Sequence, residues 1–353
     1  MTLSLTQPFV TIAIPTFNRL RYLKEAVASA LAQTYGNIEI LIGDDGGTEA
    51  IRQWGEALAQ REPRVRYQRN PCNLGLAGNW NALADAARGD FIVIIGDDDR
   101  LLPDFVDKLL KTMPSDAQMG FTNHYLINSL GERLEAESQQ QTREYRRDLL
   151  SAGEIIDAEA CVWRNSVPMS AALARTADIR RLRFKEDLNT PEIELFLRLA
   201  REGGRFFFLP EYLAEYRVHP QSATAVGLRG ENLAQYLLPV KVSQEIEPIK
   251  RRFMEALLLN SVGDCLRQRK REMALELFSS EYYPRPFWRH AKGWIHWLCL
   301  RLPSFLGLRL YQHLLRLKSA SGIIRRRKRE LDSQEAPPEK TAELTAQPQQ
   351  RTL

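Results

Sequence analysis

The sequence predicts an α/β fold in which a mostly parallel sheet is covered by helices. From Phe9 to about residue 125, short apolar runs alternate with segments of helical periodicity, as strands joined by crossover helices require. Each apolar run ends in a polar loop, which is where an open parallel sheet binds its ligand. The 353 residues, 44% of them hydrophobic, allow about two domains and exclude a mini-protein or a mostly disordered chain.

The individual elements follow from the spacing of apolar residues. In the first part of the chain we predict strands at Phe9–Ile14, Ile38–Ile42, Val65–Gln68 and Phe91–Ile95, with helices at Tyr22–Ala32, from Ile51, at Asn79–Ala87 and from Pro103. Residues 129–150, which are polar and rich in Gln, Glu and Arg, are predicted to form a mobile loop or a hairpin. Further along we predict an apolar segment at Val167–Ala174, a helix at Glu192–Arg201, and strands at Arg205–Leu209 and Leu213–Val218. From about residue 230 to 318 only helical periodicity remains, and residues 332–353, which include three prolines, are predicted to be disordered.

Charge divides the chain into an acidic body and a basic arm. Tyr282–Arg329 contains twelve Lys and Arg and no acidic residue, so subtracting them from the net charge of +5 leaves −7 on the remainder. Within this arm, Trp288, Trp294 and Trp297 alternate with aliphatic and basic residues. Such segments lie in anionic membrane surfaces. The alternative is a pair of helices packed on the body with a solvated basic face.

The spacing of the cysteines and the length of the apolar runs predict the cellular compartment of the protein. The four cysteines are scattered, without the spacing of a metal knuckle or a disulfide framework, which is typical of a reducing environment. No run of about 18 uncharged apolar residues is present, and the first residues do not read as a signal peptide. We therefore expect a protein on the cytosolic side that does not span the membrane.

Three adjacent carboxylates follow the strand predicted at Phe91–Ile95, in the sequence Gly96-Asp97-Asp98-Asp99. Neighbouring carboxylates raise one another's pKa unless a cation or hydrogen-bond donors lie among them. Mg²⁺ and Mn²⁺ are the natural partners, commonly shared with substrate phosphates. The alternative is a solvated acidic turn that begins the next helix, but the position at the end of a buried strand favours a metal site.

Two further polar loops end the first and second predicted strands. Asp44-Asp45-Gly46-Gly47 combines two acids with a tight turn whose backbone amides are free to approach a nucleotide. Residues 15–19, Pro-Thr-Phe-Asn-Arg, supply a cation at the same edge of the sheet. Each loop alone could be an ordinary turn, whereas the convergence of three such loops on one edge indicates a binding site.

Four segments, in this order, resemble the family 2 glycosyltransferases of GT-A fold. They are VTIAIPTFNR, EILIGDDGGT, NLGLAGNWNALADAARGDFIVIIGDDD, and EIELFLRLA followed by YRVHPQSAT, and together they span roughly residues 8–225. The resemblance implies a GT-A (nucleotide-diphospho-sugar transferase, Rossmann-like) catalytic domain at residues 1–230. A helical, basic, membrane-associating region at 231–330 and a disordered tail at 331–353 would follow it. The resemblance also implies transfer of a sugar from a nucleotide diphosphate donor to a hydroxyl, usually with inversion and with Mg²⁺ or Mn²⁺.

The resemblance assigns roles to particular residues. A carboxylate at Asp44 would accept a hydrogen bond from the base, which favours uracil or thymine and hence UDP or dTDP donors, because their ring N–H is a donor. Trp80 stands where many family members have Arg. The residues expected to bind the nucleotide-sugar are Pro15, Thr16, Asn18, Arg19, Asp44, Asp45, Asn73, Gly75, Asn81, Asp97 and Arg217.

The metal ligands and the catalytic base are assigned in the same way. Asp98, Asp99 and His219 are expected to hold the metal, although Gly96 stands where the family commonly has an Asp. Counting back from the Leu-Arg-Leu of the helix at residues 197–199, the catalytic base falls on Glu192. Nearby carboxylates remain competitors for that role, namely Glu186, Asp187 and Glu194.

The sequence therefore predicts a metal-dependent glycosyltransferase that acts in the cytoplasm as a peripheral protein at the inner face of the membrane. Its expected partners are a nucleotide-sugar donor, a polysaccharide or lipid-linked glycan acceptor and an anionic membrane surface, with no nucleic acid. The alternative is a non-catalytic sugar-nucleotide-binding or membrane-binding protein of the same fold.

Overall fold

The structure, a computed structural model, describes residues 7–219 and 230–316. Its described part forms a nine-stranded mixed sheet with the strand order β3-β2-β1-β4-β8-β6-β9-β5, and β7 pairs with β9. The strands are β1 (Val10–Thr16), β2 (Ile38–Asp44), β3 (Val65–Arg69), β4 (Phe91–Ile94), β5 (Arg100–Leu101), β6 (Met119–Ile127), β7 (Gly153–Glu154), β8 (Ala172–Arg175) and β9 (Phe206–Arg217).

The first four helices alternate with strands, and helices also follow the sheet. They are α1 (Leu20–Leu31), α2 (Glu49–Arg61), α3 (Gly75–Ala86), α4 (Phe105–Thr112), α5 (Glu135–Glu144), α6 (Ala158–Trp163), α7 (Thr176–Leu182), α8 (Pro191–Arg201), α9 (Gly230–Leu237), α10 (Glu247–Arg267), α11 (Arg271–Ser279) and α12 (Ala291–Arg301). Residues 304–316 are helical as well.

The N-terminal half of the sheet is parallel, as predicted. β1 pairs in parallel with both β2 and β4, and β2 pairs in parallel with β3. Every residue of β2 and β4 is buried, which is why these strands read as continuous apolar runs in the sequence. The carboxyl ends of β1, β2 and β4 consequently meet at one edge of the sheet, and the three polar loops follow them there.

The other half of the sheet is mixed and differs from the prediction. β8 runs antiparallel to β4 and β6, and β9 is one long strand parallel to β6 where the sequence predicts two. Two register shifts between Thr122 and His124 leave Pro210, Glu211 and Leu213 of β9 without a partner residue on β6. β6 is absent from the prediction because its buried residues include Thr122, Asn123 and His124, which break the apolar pattern.

The prediction of a loop or hairpin at residues 129–150 agrees with the turn that pairs Ile127 with Arg133 but is wrong from residue 135 onward. The segment contains α5 and a 3₁₀ turn at Arg147–Leu149. Within α5 only Ser138 and Thr142 are buried, so the helix faces the core with hydroxyl groups and shows no apolar stripe in the sequence. Ser138 Oγ accepts a hydrogen bond from the backbone N–H of Leu126 at 2.8 Å, which fixes the helix on β6.

The region after residue 230 is helical, as expected, and it shares its core with the sheet. One hydrophobic cluster runs from Leu41 and Ile92 in the sheet through Trp163 of α6 to Met254 of α10 and Cys299 of α12. The boundary predicted at residues 230 and 231 therefore separates two kinds of structure within one continuous core. The predicted disorder of residues 331–353 lies outside the described residues.

Of the four cysteines, which are all free thiols, Cys72 is exposed and the other three are buried. Burial raises the pKa of the Cys161 thiol to about 12. Within residues 7–219 and 230–316, no helix is both long and apolar enough to cross a bilayer.

Candidate functional site

The acidic turn lies at the carboxyl edge of the parallel strands, and all three of its carboxylates are buried. Thr16, at the end of β1, donates its hydroxyl to Asp97 Oδ2 at 2.7 Å. Arg19 reaches Asp98 Oδ2 at 2.7 Å with one guanidinium nitrogen and Asp97 Oδ1 at 2.6 Å with the other. The strand-end loops at residues 15–19 and 96–99 are thus joined in one cluster, as the sequence predicts.

Burial and mutual repulsion disfavour the ionised forms of the carboxyl groups in this cluster. Burial raises the pKa of Asp97 to about 7, although the neighbouring Arg19 guanidinium acts to lower it. Burial also raises the pKa of Asp99, and the adjacent Asp98 carboxylate adds to the shift. A carboxyl group whose pKa rises toward neutrality is one whose ionised form lacks compensation, so the cluster suits a further cation.

Arg217 and His219 come to the cluster from the end of β9. His219 Nε2 lies 2.8 Å from Asp98 Oδ2. The backbone N–H of Arg217 donates to Asp99 Oδ1 at 2.9 Å, and its Nε donates to the carbonyl oxygen of Asp98 at 2.8 Å. The sequence prediction that these two residues belong with the acidic turn agrees with this geometry.

Three residues of this cluster were not singled out from the sequence. Tyr22 of α1 packs its ring 4.7 Å from the Arg217 guanidinium and 5.2 Å from the His219 ring. Glu25, one turn along α1, accepts a hydrogen bond from Arg217 Nη2 at 2.6 Å. Ser170 donates its hydroxyl to Asp99 Oδ2 at 2.5 Å. The spacing of Tyr22 and Glu25 on the face of α1 that follows Arg19 was the one available signal, while Ser170 is a single hydroxyl within the apolar segment predicted at Val167–Ala174.

Gly96, where the resembling family commonly has an acid, is explained by close packing. A Cβ atom at this position would lie 2.6 Å from Asp98 Oδ1 and 3.1 Å from Asp99 Oδ2. The glycine therefore lets the two following carboxylates turn back over the strand end. An Asp in place of Gly96 would have no room while Asp98 keeps this position.

Asp44 and Asp45 occupy the adjacent strand end. Thr16 pairs with Asp44 in the sheet, and Asp44 is fully buried. Its carboxylate accepts from the backbone N–H of Gly47 at 2.7 Å, from the Tyr67 hydroxyl at 2.5 Å and from Arg69 at 3.2 Å. Each carboxylate oxygen offers two lone pairs, so Oδ1, with one partner, retains acceptor capacity.

Asp45 holds the following loop in shape. Its carboxylate accepts hydrogen bonds from the backbone N–H groups of Leu74 and Gly75 at 2.8 and 3.0 Å, at the start of α3. Asn73 also accepts from the N–H of Gly75, at 2.8 Å, and Gly75 has a φ of 75°, a conformation that favours glycine. Asp45, Asn73 and Gly75 are therefore brought together as a group that shapes the loop before α3.

Asn81 connects α3 to a segment one hundred residues away. Its amide donates to the carbonyl oxygen of Phe184 at 3.0 Å and accepts from the Phe184 N–H at 2.9 Å. It also lies 3.3 Å from Glu186 Oε1. Trp80 packs edge-on against the Phe184 ring, with centroids 5.1 Å apart. This junction fixes the chain that leads into α8.

Glu192 stands in the first turn of α8, after Pro191 at the helix start. It is half-buried, and the loss of water around its carboxyl group raises its pKa to about 7. The neighbouring Glu194 is engaged in an ion pair with Arg198 at 2.7 Å, and Asp187 accepts a hydrogen bond from the Tyr236 hydroxyl at 3.0 Å. Glu194 and Asp187 are thus held by partners within the fold.

A divalent cation fits the acidic cluster through few protein ligands. Within the described ranges, no three Asp, Glu, His or Cys side chains are arranged as a complete metal cage. Mg²⁺ is usually held by one or two carboxylates, with substrate phosphates and water supplying the rest. Asp98 is a buried carboxylate of the kind this mode of binding uses, and its Oδ2 lies 2.7 Å from Arg19 Nη1 and 2.8 Å from His219 Nε2.

The C-terminal helices expose an aromatic surface, defined here as Phe287, Trp288, Trp294 and Trp297. Phe287 contacts Trp288 with ring centroids 5.2 Å apart and Trp297 at 5.7 Å, and Trp297 contacts Trp294 at 5.9 Å. The two ends are open to solvent, with 64% of Trp288 and 47% of Trp294 exposed. The side chain of Arg301 lies 5.8 Å from the Trp297 ring, so cations border this surface.

Comparison with known proteins connects this arrangement to a reaction class. Residues 11–163 match the sequence profile of the family described as Glycosyl transferase family 2. The chain is 24% identical over 241 residues to a GalNAc(5)-diNAcBac-PP-undecaprenol beta-1,3-glucosyltransferase of Campylobacter jejuni, a match that covers 68% of this chain and 74% of that protein.

Solved structures share the architecture at low sequence identity. S. aureus TarS 1–349, in complex with UDP-GlcNAc, has a TM-score of 0.57 and 14% identity over 83% of this chain and 90% of that one. The mannosyltransferase PcManGT from Pyrobaculum calidifontis, in complex with GDP-Man and Mn²⁺, has a TM-score of 0.55 and 15% identity over 88% and 86% of the two chains. These similarities concern the fold, and they confirm the fold class predicted from the sequence.

Proposed function

Because this chain is a glycosyltransferase of family 2 with a GT-A fold, we propose that it transfers a sugar from a nucleoside diphosphate donor to a hydroxyl of a glycan or lipid-linked glycan precursor, with inversion. The observation that carries the proposal is the buried cluster of Asp97, Asp98 and Asp99 with Arg19 and Arg217. Carboxylates and guanidinium groups that converge at the carboxyl ends of parallel strands suit a diphosphate with its counter-cation.

The base of the donor would bind against Asp44. A buried carboxylate with remaining acceptor capacity recognises a ring N–H, which uracil and thymine have and cytosine lacks. We therefore favour UDP or dTDP donors. The loop shaped by Asp45, Asn73 and Gly75 would border the nucleoside, and Pro15, Thr16 and Asn18 would line the opposite side.

The diphosphate leaving group would lie against Arg19, which is partly exposed, with the buried Arg217 guanidinium behind it. When bound at Asp98, with Asp99 and His219 beside it, Mg²⁺ or Mn²⁺ would supply charge neutralisation for the departing diphosphate. Arg217, fixed by its bonds to Asp98, Asp99 and Glu25, would provide a preorganised positive charge near the same group. Such preorganised charge is a large contribution to catalysis.

Glu192 would act as the general base. Its carboxylate takes the proton of the acceptor hydroxyl while the hydroxyl oxygen attacks the anomeric carbon on the face opposite the diphosphate. The bond from that carbon to the diphosphate oxygen breaks, so the configuration inverts. A base with a pKa near 7 matches the operating pH.

The acceptor would be reached at a membrane. Arg301 lies 5.8 Å from the Trp297 ring, and Arg289 and Lys292 follow Trp288 closely in the chain, in a region without acidic residues from 282 to 329. Tryptophan side chains with neighbouring cations suit the interface of an anionic bilayer. The Campylobacter relative is named for an undecaprenol-linked substrate, which supports a peripheral position at the inner membrane face.

The donor site can be tested by thermal stability. The wild type and Asp98→Asn would be heated with UDP, dTDP, GDP or CMP, each with and without Mn²⁺. A ligand at a hundredfold excess over its Kd stabilises the native state by about 2.7 kcal/mol, so we expect UDP or dTDP with Mn²⁺ to raise the Tm of the wild type and not of the variant. Stabilisation by none of the four would contradict the donor proposal. An equal response in Asp98→Asn would contradict the metal assignment.

A further inference from the structure

Two arginines face the acidic cluster, and they differ in freedom of movement. The Arg217 side chain has no exposed surface and donates to the carbonyl oxygens of Asp98 and Asn128 as well as to Glu25. The Arg19 side chain is 29% exposed; its guanidinium donates a hydrogen bond to Asp98 and forms an ion pair with Asp97. Arg217 is therefore a fixed charge, whereas Arg19 can turn toward solvent without opening the core.

Arg19 holds the oxygen that a metal would need. Its two terminal nitrogens span both carboxylates, at 2.6 Å from Asp97 Oδ1 and 2.7 Å from Asp98 Oδ2. His219 Nε2 also lies 2.8 Å from Asp98 Oδ2, so this oxygen has two neighbours for its two lone pairs. The other oxygen of Asp98 is turned toward Gly96. A cation that binds Asp98 Oδ2 must displace one of these neighbours.

We propose that Arg19 is a built-in counter-ion that takes the place of the divalent cation on Asp97 and Asp98 in the donor-free protein and is released when the cation and the diphosphate bind together. The proposal rests on the proposed function for the identity of the diphosphate. Arg19 and the metal compete for Asp98, so the metal alone binds weakly. The diphosphate gives the released guanidinium a new anionic partner, and it therefore strengthens metal binding. Because coupling between two ligands is reciprocal, the metal must strengthen nucleotide binding by the same factor.

The backbone around Arg19 supports a side-chain movement of this kind. Asn18 has a φ of 63°, which turns the chain sharply between the end of β1 and the start of α1. The carbonyl oxygen of Arg19 accepts the backbone N–H of Leu23 at 3.0 Å, so the main chain is held by the helix. The guanidinium can leave the carboxylates by rotation of the side chain alone.

The test is Mn²⁺ binding to the full chain without nucleotide, followed by the electron paramagnetic resonance signal of free Mn²⁺. Arg19→Gln removes the competitor. Arg100→Gln is the matched control, since Arg100 is 26% exposed, follows Asp99 directly in the chain, and binds Glu215 rather than the acidic turn. We expect Arg19→Gln to bind Mn²⁺ about tenfold or more tightly than the wild type, within the range typical of coupled sites. Arg100→Gln should stay close to the wild type.

Addition of UDP separates this proposal from the donor proposal. UDP should tighten Mn²⁺ binding in the wild type more than in Arg19→Gln, because the variant has no competitor to displace. Equal Mn²⁺ affinity in the wild type and Arg19→Gln overturns the counter-ion proposal, and so does an equal gain in Arg100→Gln, which would indicate long-range charge alone. If UDP binds neither the wild type nor any variant, the donor proposal is contradicted. The proposal for Arg19 is then decided by the Mn²⁺ affinities measured without nucleotide. Arg19→Lys, which keeps one charge but cannot span both carboxylates, should bind Mn²⁺ with intermediate affinity if Arg19→Gln does not fold.

Discussion

At the scale of single residues, burial sets the working pH of the proposed base. The pKa of Glu192 is raised to about 7 by the loss of water around its carboxyl group. Only the ionised form accepts a proton, so transfer should be slow below pH 6, increase through pH 7 and level off above it. The measurement is the pH dependence of kcat with a soluble acceptor analogue.

Substitution distinguishes Glu192 from its neighbours. Glu192→Gln should lower kcat by about 10²- to 10⁴-fold, the usual contribution of a general base, and should abolish the rise near pH 7. Glu186→Gln and Asp187→Asn, which alter the carboxylates bonded to Asn81 and Tyr236, are the matched controls and should keep the profile. A Glu192→Gln enzyme with the profile of the wild type would exclude Glu192 as the base.

How far the site could be predicted depends on the kind of signal each residue gives. Asp97, Asp98 and Asp99 stand out because adjacent acids after a buried strand are unusual, and the structure brings them together with Arg19, Arg217 and His219. Ser170 gives no such signal, because it is a single hydroxyl within the predicted apolar segment Val167–Ala174. Its contact with Asp99 depends on β8 entering the sheet beside β4, which is a property of the whole topology.

At the scale of elements, predictions succeeded where the buried side of a strand or helix is apolar and failed where it is polar. The main strands and helices up to residue 112 are close to the predicted ranges because β1, β2 and β4 are buried almost throughout and read as apolar runs. α5 was missed because its inward side carries Ser138 and Thr142, which bond to the chain rather than pack as apolar groups. A helix held by hydrogen bonds of this kind has no hydrophobic periodicity to detect.

The joint between α10 and α12 contains a buried histidine that should respond to acid. His296 is 1% exposed, its Nδ1 lies 2.8 Å from the Tyr283 hydroxyl, and burial lowers its pKa to about 4. In the unfolded chain the pKa would be the ordinary 6.5. The stabilisation from the neutral ring is therefore complete above pH 6.5 and is lost as the pH falls toward 4, by about 3 kcal/mol in total.

We expect the C-terminal helices to loosen in this pH range. Tryptophan fluorescence at pH values from 7 to 4 measures this directly, because Trp294 and Trp297 flank His296 along α12. His296→Gln does not titrate but can still bond to Tyr283, so its fluorescence should change less than that of the wild type. Identical curves for the two proteins would show that another group, such as the buried His124, is responsible.

At the scale of the whole molecule, the helical region both packs on the sheet and exposes an aromatic surface. Met254, Cys299 and Tyr311 belong to the core shared with the sheet, so removal of the chain after residue 284 would open that core. The two interpretations of the basic arm are thus compatible, since one side of the helices is packed and the other is exposed. Point substitutions are the appropriate test of membrane binding.

Replacement of exposed side chains should release the protein from anionic vesicles. Trp288→Gln with Trp294→Gln removes the exposed ends of the aromatic surface, and Arg289→Glu with Lys292→Glu reverses two neighbouring charges. Each nearby cation contributes about 1 kcal/mol to binding at an anionic surface, and aromatic side chains add buried apolar area. Each pair of substitutions should therefore weaken vesicle binding about tenfold or more. The measurement is co-sedimentation with vesicles that contain phosphatidylglycerol.

The matched control replaces apolar residues exposed elsewhere. Leu130 is 69% exposed and Ile156 is fully exposed, and both lie outside the helical region. Leu130→Gln with Ile156→Gln should leave vesicle binding unchanged. Undiminished binding of both helical-region variants would refute the membrane role.

The distribution of the thiols offers a reporter for the molecule as a whole. Cys161, Cys265 and Cys299 are buried, and burial raises the pKa of each, so alkylating reagents should react at Cys72 first. Cys72 is exposed, and its carbonyl carbon would lie 3.7 Å from a Cβ at Gly46, in the loop after β2. A maleimide fluorophore would therefore label the native chain at one position without any mutation. Its emission should change when a nucleotide binds, so a label at Cys72 would report how much of the protein has donor bound.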